Sequence, residues 1–313
     1  MVIKTKKPPY TLAFGILTKN PPLFRMKPVK GRKRLQICPR RRTAGSPGDF
    51  PAGVPRFSVS YTILKEDFEM TPDIQTIFFD VGNTLRIVLK EQDFIDRAEA
   101  GLMELIQTKE SHDELFAKLE ERWKKYRKMS KETLLDASEG ELWTQYMLPE
   151  YEPNMVFANA ARLTRLWRDH DGRRVARPDA VATIKELCAR GYTLGIIANT
   201  VTETEIPDWM AADGVAQCFK TTILSSKVRL RKPNPEIYHL ACRCIGTPEA
   251  NCAYVGDNPV RDVEGTQAAG FGMMIRIDEP DTLNNEHATG KEFTPDHVIT
   301  ALSELLDIFP ART

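Results

Sequence analysis

The sequence predicts an α/β fold with a mostly parallel, Rossmann-like sheet that has helices on both faces. The first observation is a series of short apolar runs of strand length, at 76–81, 193–199, 220–224, 252–257 and 272–277. The second is the helical periodicity of the intervening segments, as at 179–191 and 235–246, each of which ends on a glycine. Alternating strands and helices favour parallel strands joined by helical crossovers. A final helix is predicted over 299–309.

A long helical region interrupts this alternation directly after the first strand. Residues 90–174 have apolar side chains spaced by three and four positions, with charged residues on the opposite face. We therefore expect a helical cap at 90–174, inserted into a core made of 70–89 and 175–313. Its three tryptophans are expected to form the core of the cap rather than a stacking site for a substrate: Trp123, Trp143 and Trp167.

The N-terminal segment, residues 1–69, has a different composition from the rest of the chain. It contains 15 Lys and Arg residues against 4 Asp and Glu, together with nine prolines. Such a segment buries too little apolar surface to offset its ordering entropy, so we expect it to be mostly disordered. A transit peptide, a twin-arginine export signal and a nucleic-acid or membrane-binding arm are alternatives, but the prolines oppose an amphipathic helix and no apolar stretch follows the arginines.

Composition also limits the location and partners of the predicted core. The six cysteines form no CxxC pair, and no run of about 18 apolar residues is present. These features indicate a cytoplasmic protein without a membrane span, with mitochondrial targeting by the basic segment as the weaker alternative. No nucleic-acid partner is expected for the core; in the basic segment, where charge alone would allow one, the aromatic and glycine pattern of an RNA-binding module is missing.

Polar residues follow the predicted strands at the points where the strands end. Asp80 follows the first strand, Asn199 and Thr200 follow the second, and Asp257 follows a later one. In folds of this type the carboxyl ends of the strands form the ligand-binding edge of the sheet. A single aspartate at a strand end is often only a helix cap. Polar residues at the ends of several strands together indicate a binding site.

In this order, these residues resemble the haloacid dehalogenase superfamily over about residues 74–309. The nucleophile motif of that family, Asp-x-Asp-x-Thr, corresponds to the segment DVGNTL that begins at Asp80. The family's Lys-Pro pair corresponds to Lys232-Pro233, and its acidic motif corresponds to Gly256-Asp257 with Asp262 five residues later. The predicted helical cap matches the cap of the family's phosphatases.

The resemblance implies hydrolysis of a small phosphorylated metabolite with Mg²⁺ as cofactor. Asp80 would be the nucleophile and a metal ligand, with Asp257 and the backbone carbonyl of Gly82 as further ligands, and Asp262 would either bind the metal as well or orient its ligands. Lys232 would hold the nucleophile and the phosphoryl group together, because two anions must meet in the reaction. Phosphoryl oxygens would be bound at three positions: Thr84, Asn199 and Thr200.

Two departures from the family pattern weaken the implied activity. Gly82 stands where the family's phosphatases have a carboxyl group that acts as general acid and base, a contribution of roughly 10²–10⁴ in rate. Ala198 stands where a Ser or Thr would bond a phosphoryl oxygen. The alternative is therefore a weak or inactive relative that binds a phosphate ligand or a protein. A dehalogenase is less favoured, because the family's dehalogenases do not need the metal-binding carboxylates that this chain retains.

Overall fold

The computed structural model describes residues 73–279 and 294–312. The expected disordered segment 1–69 lies outside the described residues. The strands in chain order are β1 (Thr76–Phe79), β2 (Arg86–Leu89), β3 (Arg173–Ala176), β4 (Thr193–Ala198), β5 (Phe219–Leu224), β6 (Cys252–Gly256), β7 (Met273–Ile277) and β8 (His297–Ile299).

The helices are α1 (Gln92–Ile106), α2 (His112–Thr133), α3 (Glu139–Glu141), α4 (Pro153–Ala158), α5 (Ala160–His170), α6 (Ala180–Ala189), α7 (Glu205–Ala212), α8 (Ser225–Val228), α9 (Pro235–Ile245), α10 (Gly265–Ala269) and α11 (Leu305–Ile308). Two π-helical turns, Leu142–Met147 and Pro259–Glu264, precede α4 and α10. No helix of the described ranges is long and apolar enough to cross a membrane.

Six of the strands form the predicted parallel sheet, in the order β5-β4-β1-β6-β7-β8. All four residues of β1 are buried, because the sheet is covered on both faces. Ile77 and Phe79 pack into the apolar cluster on one face, and Phe78 points into the cluster on the other. The α/β fold class and the five predicted strands are thus confirmed.

Two parts of the sequence prediction need correction. The predicted final helix, 299–309, is instead the end of β8 followed by a 3₁₀ turn, Leu302–Glu304, and the four-residue helix α11. The antiparallel ribbon of β2 and β3 was not predicted. β1 is equally short but is a continuous buried apolar run, whereas β2 and β3 are partly exposed and contain arginines, so their sequences give no clear strand signal and tertiary contacts decide them.

The helical region between β2 and β3 has an apolar core of its own. Helices α1 and α5 pack together, and the cluster beneath them contains the fully buried Trp143 and the nearly buried Trp167, as the sequence predicted. Trp123 is half-buried at its edge. The ribbon joins this region to the sheet, and the predicted boundaries at 89/90 and 174/175 fall at the end of β2 and within β3.

Glu205, at the start of α7, ties the ribbon and the helical region to the sheet side of the molecule. Its carboxylate accepts hydrogen bonds from Arg86 of β2, at 2.7 Å, and from Arg168 of α5. Burial by itself would raise the pKa of Glu205, but the positive charges of Arg168, Arg174 and Arg86 outweigh it and lower the pKa to about 2. The ionised carboxylate therefore stabilises the folded state.

We expect Glu205→Gln to lower the free energy of unfolding by about 3 kcal/mol at neutral pH, since one pKa unit corresponds to about 1.4 kcal/mol. The pKa of Glu205 is lowered in the folded protein, so its contribution is present above the ordinary value of 4.5 and is lost as the pH falls toward 2. Denaturant unfolding at several pH values should therefore show the two proteins converging in acid. Glu91→Gln, which removes the partner of the exposed Arg173, is the control and should have a much smaller effect. A constant difference across the pH range would contradict this account.

Candidate active site

The site lies where the strand order of the sheet reverses. β1 has β4 on one side and β6 on the other, so the carboxyl ends of these three strands border one crevice. Asp80 directly follows β1, Asn199 follows β4, and Asp257 follows β6. Each strand delivers a polar residue to the crevice directly after its last buried apolar residues.

Three of the predicted site residues form a buried carboxylate cluster. Asp80, Asp257 and Asp262 each contribute one oxygen to a group whose members all lie within 4.8 Å of one another. All three are at least 95% buried. Among the described residues, this is the one group of three or more potential metal ligands that satisfies such a distance limit. Buried carboxylates that are this close require cations nearby.

Lys232 supplies one of these cations from the loop after α8. Its Nζ lies 3.2 Å from Asp80 Oδ1 and 2.7 Å from Asp262 Oδ1. The ammonium group also donates to the Tyr254 hydroxyl at 2.6 Å, and that hydroxyl donates to the carbonyl of Ile197. The ammonium group, which is almost fully buried, thus donates to Tyr254 and Asp262 and forms an ion pair with Asp80, so its position is well determined.

Burial and the neighbouring charges shift the pKa values of Asp80 and Tyr254. Burial raises the pKa of Asp80, while the positive charge of Lys232 opposes that shift. Burial also raises the pKa of Tyr254 well above its ordinary value, with further contributions from Asp262 and Asp80, so the phenol stays neutral. A neutral phenol can accept from Lys232 and donate to a carbonyl at the same time, as observed.

The segment DVGNTL turns sharply away from β1. The carbonyl of Val81 accepts from the backbone N–H groups of Leu85 and Arg86, at 3.0 and 2.9 Å. Arg177 holds the outside of the turn by donating to the carbonyls of Thr84 and Asn83. The turn places residue 82 on the surface of the crevice rather than in the core.

Two predicted site residues lie within this turn. Gly82 is exposed, its φ lies outside the left-handed region, and a Cβ added there would have no atom within 4 Å. Glycine is thus not required there by sterics. Thr84 is fully buried, and its hydroxyl has no hydrogen-bond partner within the described part of the chain.

The predicted residues after β4 have structural partners. The Asn199 amide donates to the backbone carbonyl of Lys232 at 2.9 Å and accepts from its N–H at 2.8 Å. Thr200 donates its N–H to the hydroxyl of Ser225, and its own hydroxyl accepts from the N–H of Thr202. A role for these two side chains in substrate binding stays a prediction, whereas their contribution to the loop of Lys232 is observed.

Sequence reasoning missed several residues that shape the site. Tyr254 is a polar-tipped residue in a fully buried strand, which is a signal that its hydroxyl has a partner. Arg261 carries a guanidinium whose Nη2 lies 3.7 Å from Asp257 Oδ1, four residues before it in the same acidic motif. No local pattern in the sequence pointed to Arg177, because its partners, the carbonyls of Thr84 and Asn83 and the carboxylate of Glu279, are distant in sequence.

The model of the haloacid dehalogenase-like hydrolases matches residues 74–270. The chain belongs to this family. Its relatives include a glyceraldehyde 3-phosphate phosphatase of Methanopyrus kandleri, 25% identical over 75% of this chain and 97% of that enzyme. A phosphoserine phosphatase of Thermus thermophilus is 33% identical over 33% of this chain and 43% of that enzyme.

The solved structures support the same fold. A 2-haloacid dehalogenase from Pseudomonas syringae superposes with a TM-score of 0.54, at 21% identity, over 75% of this chain and 97% of that protein. The family's α/β architecture therefore extends over most of the described residues.

Gly256 has a steric role in this haloacid dehalogenase-like site. A Cβ at residue 256 would lie 2.5 Å from Asp262 Oδ2, so Gly256→Ala should displace Asp262 and its contact with Lys232. We expect a lower unfolding midpoint by several degrees, corresponding to roughly 1–3 kcal/mol of overpacking. Gly82→Ala, where an added Cβ meets nothing within 4 Å, is the stability control and should unfold within about a degree of wild type. Equal midpoints for Gly256→Ala and wild type would show that the site absorbs the extra methyl group.

Proposed function

We propose that this protein hydrolyses a small phosphate monoester through a phosphorylated Asp80. The observation that carries the proposal is the buried cluster of Asp80, Asp257 and Asp262, with the Lys232 ammonium group 3.2 Å from Asp80. A nucleophilic carboxylate must approach an anionic phosphoryl group, and a fixed cation between them reduces their repulsion. The phosphatases among the relatives support the same chemistry.

The reaction would proceed in two displacements at phosphorus. In the first, an Asp80 oxygen bonds to phosphorus, the ester P–O bond breaks, and the alcohol leaves with the electron pair and gains a proton. In the second, a water oxygen bonds to phosphorus, the bond to Asp80 breaks, and inorganic phosphate leaves as the water gives up its proton. Lys232, held by Tyr254 and Asp262, stays beside the reacting oxygens in both steps.

The residues of the crevice fit a magnesium ion. The three carboxylates face two nearby cations, Lys232 and Arg261, so the cluster retains a negative charge that a divalent cation would balance. Asp80, Asp257 and the carbonyl of Gly82 would hold Mg²⁺, which, when bound, neutralises charge on the phosphoryl oxygens. Asp262 has one oxygen on Lys232 and the other on the N–H of Asn258, so we assign it to positioning rather than to direct ligation.

The surroundings of the cluster would bind and enclose the substrate. Thr84 carries a buried hydroxyl with no partner among the described residues, which suits a phosphoryl oxygen as acceptor. Asn199 and Thr200 would act mainly by holding the loop of Lys232 and the start of α8. The helical region 90–174 would act as a cap that excludes water from the reacting groups.

The alternative is a weak or inactive phosphate-binding protein. The observations that favour it are the absence of a carboxylate at Gly82 and of a hydroxyl at the buried Ala198. The intact cluster around Lys232 favours the phosphatase instead, because ligand binding alone does not need a nucleophile at Asp80. The same cluster makes a dehalogenase the less favoured activity, although dehalogenases are among the relatives.

Asp80→Asn tests the nucleophile. We expect turnover of p-nitrophenyl phosphate to fall below detection with the fold intact, since an amide of the same shape is not a nucleophile. Phosphate release should be measured with Mg²⁺, and the unfolding midpoint should be compared with wild type. Asp278→Asn, which changes a carboxylate paired with Arg276 outside the cluster, is the matched control. Activity of Asp80→Asn within a few-fold of wild type would exclude the mechanism.

Gly82→Asp tests the missing general acid. The backbone and the free space at residue 82 accept a side chain, so the variant should fold. Turnover of alkyl phosphates should rise by about 10²-fold or more, and that of p-nitrophenyl phosphate by less, since p-nitrophenolate leaves readily without a proton. Gly82→Asn has the same size without the acid and should show no such selective gain. If wild type and Gly82→Asp are both folded and both inactive on all esters, the binding-protein alternative is favoured.

A further inference from the structure

Arg127 is a half-buried cation of helix α2. Within the part of the chain that the structure describes, it forms no hydrogen bond and no ion pair. Its guanidinium carbon lies 5.5 Å from the centre of the Trp123 ring, a contact that supports a cation without neutralising it. Other partly buried cations of α2 differ in this respect: Lys118 and Arg122 both reach Glu150, at 2.8 Å.

The helix face that carries Arg127 is attached to the loop that supplies Lys232. Ser130, three residues later and hence on the same face, is in hydrogen-bond contact with Arg231, the neighbour of Lys232. Asp136 pairs with Arg231 at 2.9 Å, and the bridge between Leu135 and Leu230 adds backbone contacts. Arg127 therefore lies about one helical turn from the contact between the helical region and the catalytic loop.

Two further arginines raise the positive charge around Arg127. Burial, followed by the charges of Arg231 and Arg261, lowers the pKa of Arg127 to about 10, so it remains charged at neutral pH. Arg231 is neutralised by Asp136, and Arg261 lies 3.7 Å from Asp257. The Asp136 carboxylate also attracts Arg127, but it is already paired with Arg231, and among the described residues Arg127 forms no ion pair of its own. A partly desolvated cation beside two others is unfavourable unless an anion joins it.

We propose that Arg127 is a specificity-determining residue that binds a second anionic group of the substrate. The inference rests on the proposed phosphatase function, since it assumes that the phosphoryl end of the substrate lies at Asp80 and Lys232. The substrate class is then a small phosphate monoester that also carries a carboxylate or a second phosphate. Arg127 suits either group, because a guanidinium can donate two parallel hydrogen bonds to two oxygens.

The experiment measures binding without turnover, using phosphonates that cannot be hydrolysed. Isothermal titration calorimetry of the full chain with Mg²⁺ would compare propylphosphonate with 3-phosphonopropionate, which differ only in a terminal methyl group against a carboxylate. Ethane-1,2-diphosphonate provides the arm with a second phosphorus group. Whichever of 3-phosphonopropionate and ethane-1,2-diphosphonate binds more tightly identifies the second anionic group that the site prefers.

We expect wild type to bind one of the doubly anionic ligands at least 10-fold more tightly than propylphosphonate. Arg127→Met should remove most of that preference while changing the affinity for propylphosphonate less than about threefold, and Arg127→Lys should retain part of it. Lys128→Ala removes the neighbouring exposed cation of α2 and is the matched control; it should keep the preference. The unfolding midpoints of all variants should be compared, since loss of the Trp123 contact alone would change stability and not ligand choice.

The proposal is overturned if wild type shows no preference for a second anion, if Arg127→Met weakens all three ligands equally, or if Lys128→Ala acts like Arg127→Met. Its failure differs from failure of the proposed function. Turnover of phosphate esters without a preference for a second anion would reject only the role of Arg127. A selective loss of binding in Arg127→Met, in a protein that hydrolyses no ester, would reject only the catalytic proposal.

Discussion

The ion pair of Lys232 with Asp80 and Asp262 is the constraint on which the site depends. Burying an ammonium group and carboxylates costs several kcal/mol for each ion, and only close pairing with good hydrogen bonds offsets that cost. The structure meets this condition with Nζ contacts of 2.7 and 3.2 Å and with the hydroxyl of Tyr254. The surrounding elements are arranged so that these groups meet. β1 supplies Asp80, the π-helical turn after β6 supplies Asp262, and the loop after α8 supplies the lysine.

That loop is held from two sides, which links the sheet to the helical region. On the sheet side, the Asn199 amide bonds both backbone groups of Lys232. On the helical side, Arg231 is buried against Asp136, whose carboxylate also accepts from Tyr126 of α2. Removing either partner of a buried ion pair leaves an uncompensated charge, so the helical region and the loop of Lys232 form one energetic unit. A change in the position of α2 is thereby connected to the lysine beside Asp80.

The lack of a side chain at Gly82 limits the chemistry that the site can perform. The turn of DVGNTL leaves space for a side chain at this position, yet glycine offers no carboxyl group that could protonate a leaving alcohol. Catalysis would then rely on charge neutralisation around Asp80 and on positioning by the helical region. An anionic substrate group bound by Arg127 would help to position the substrate. Positioning matters more in a site that has no general acid.

By itself, the sequence determined the α/β class, the five strands that stand out as short apolar runs and the residues at the strand ends. Buried parallel strands require continuous apolar runs, and the acidic residues and Lys232 stand directly after them or in a recognisable motif, so local patterns were sufficient. The tertiary structure alone decided the β2–β3 ribbon and β8, because these short strands are partly exposed and lack a continuous apolar run of strand length. It also decided the contacts of Asn199, Arg177 and Arg127. Their roles depend on partners, or on the lack of a partner, far away in the chain, and no local pattern records which distant groups the folded chain brings together.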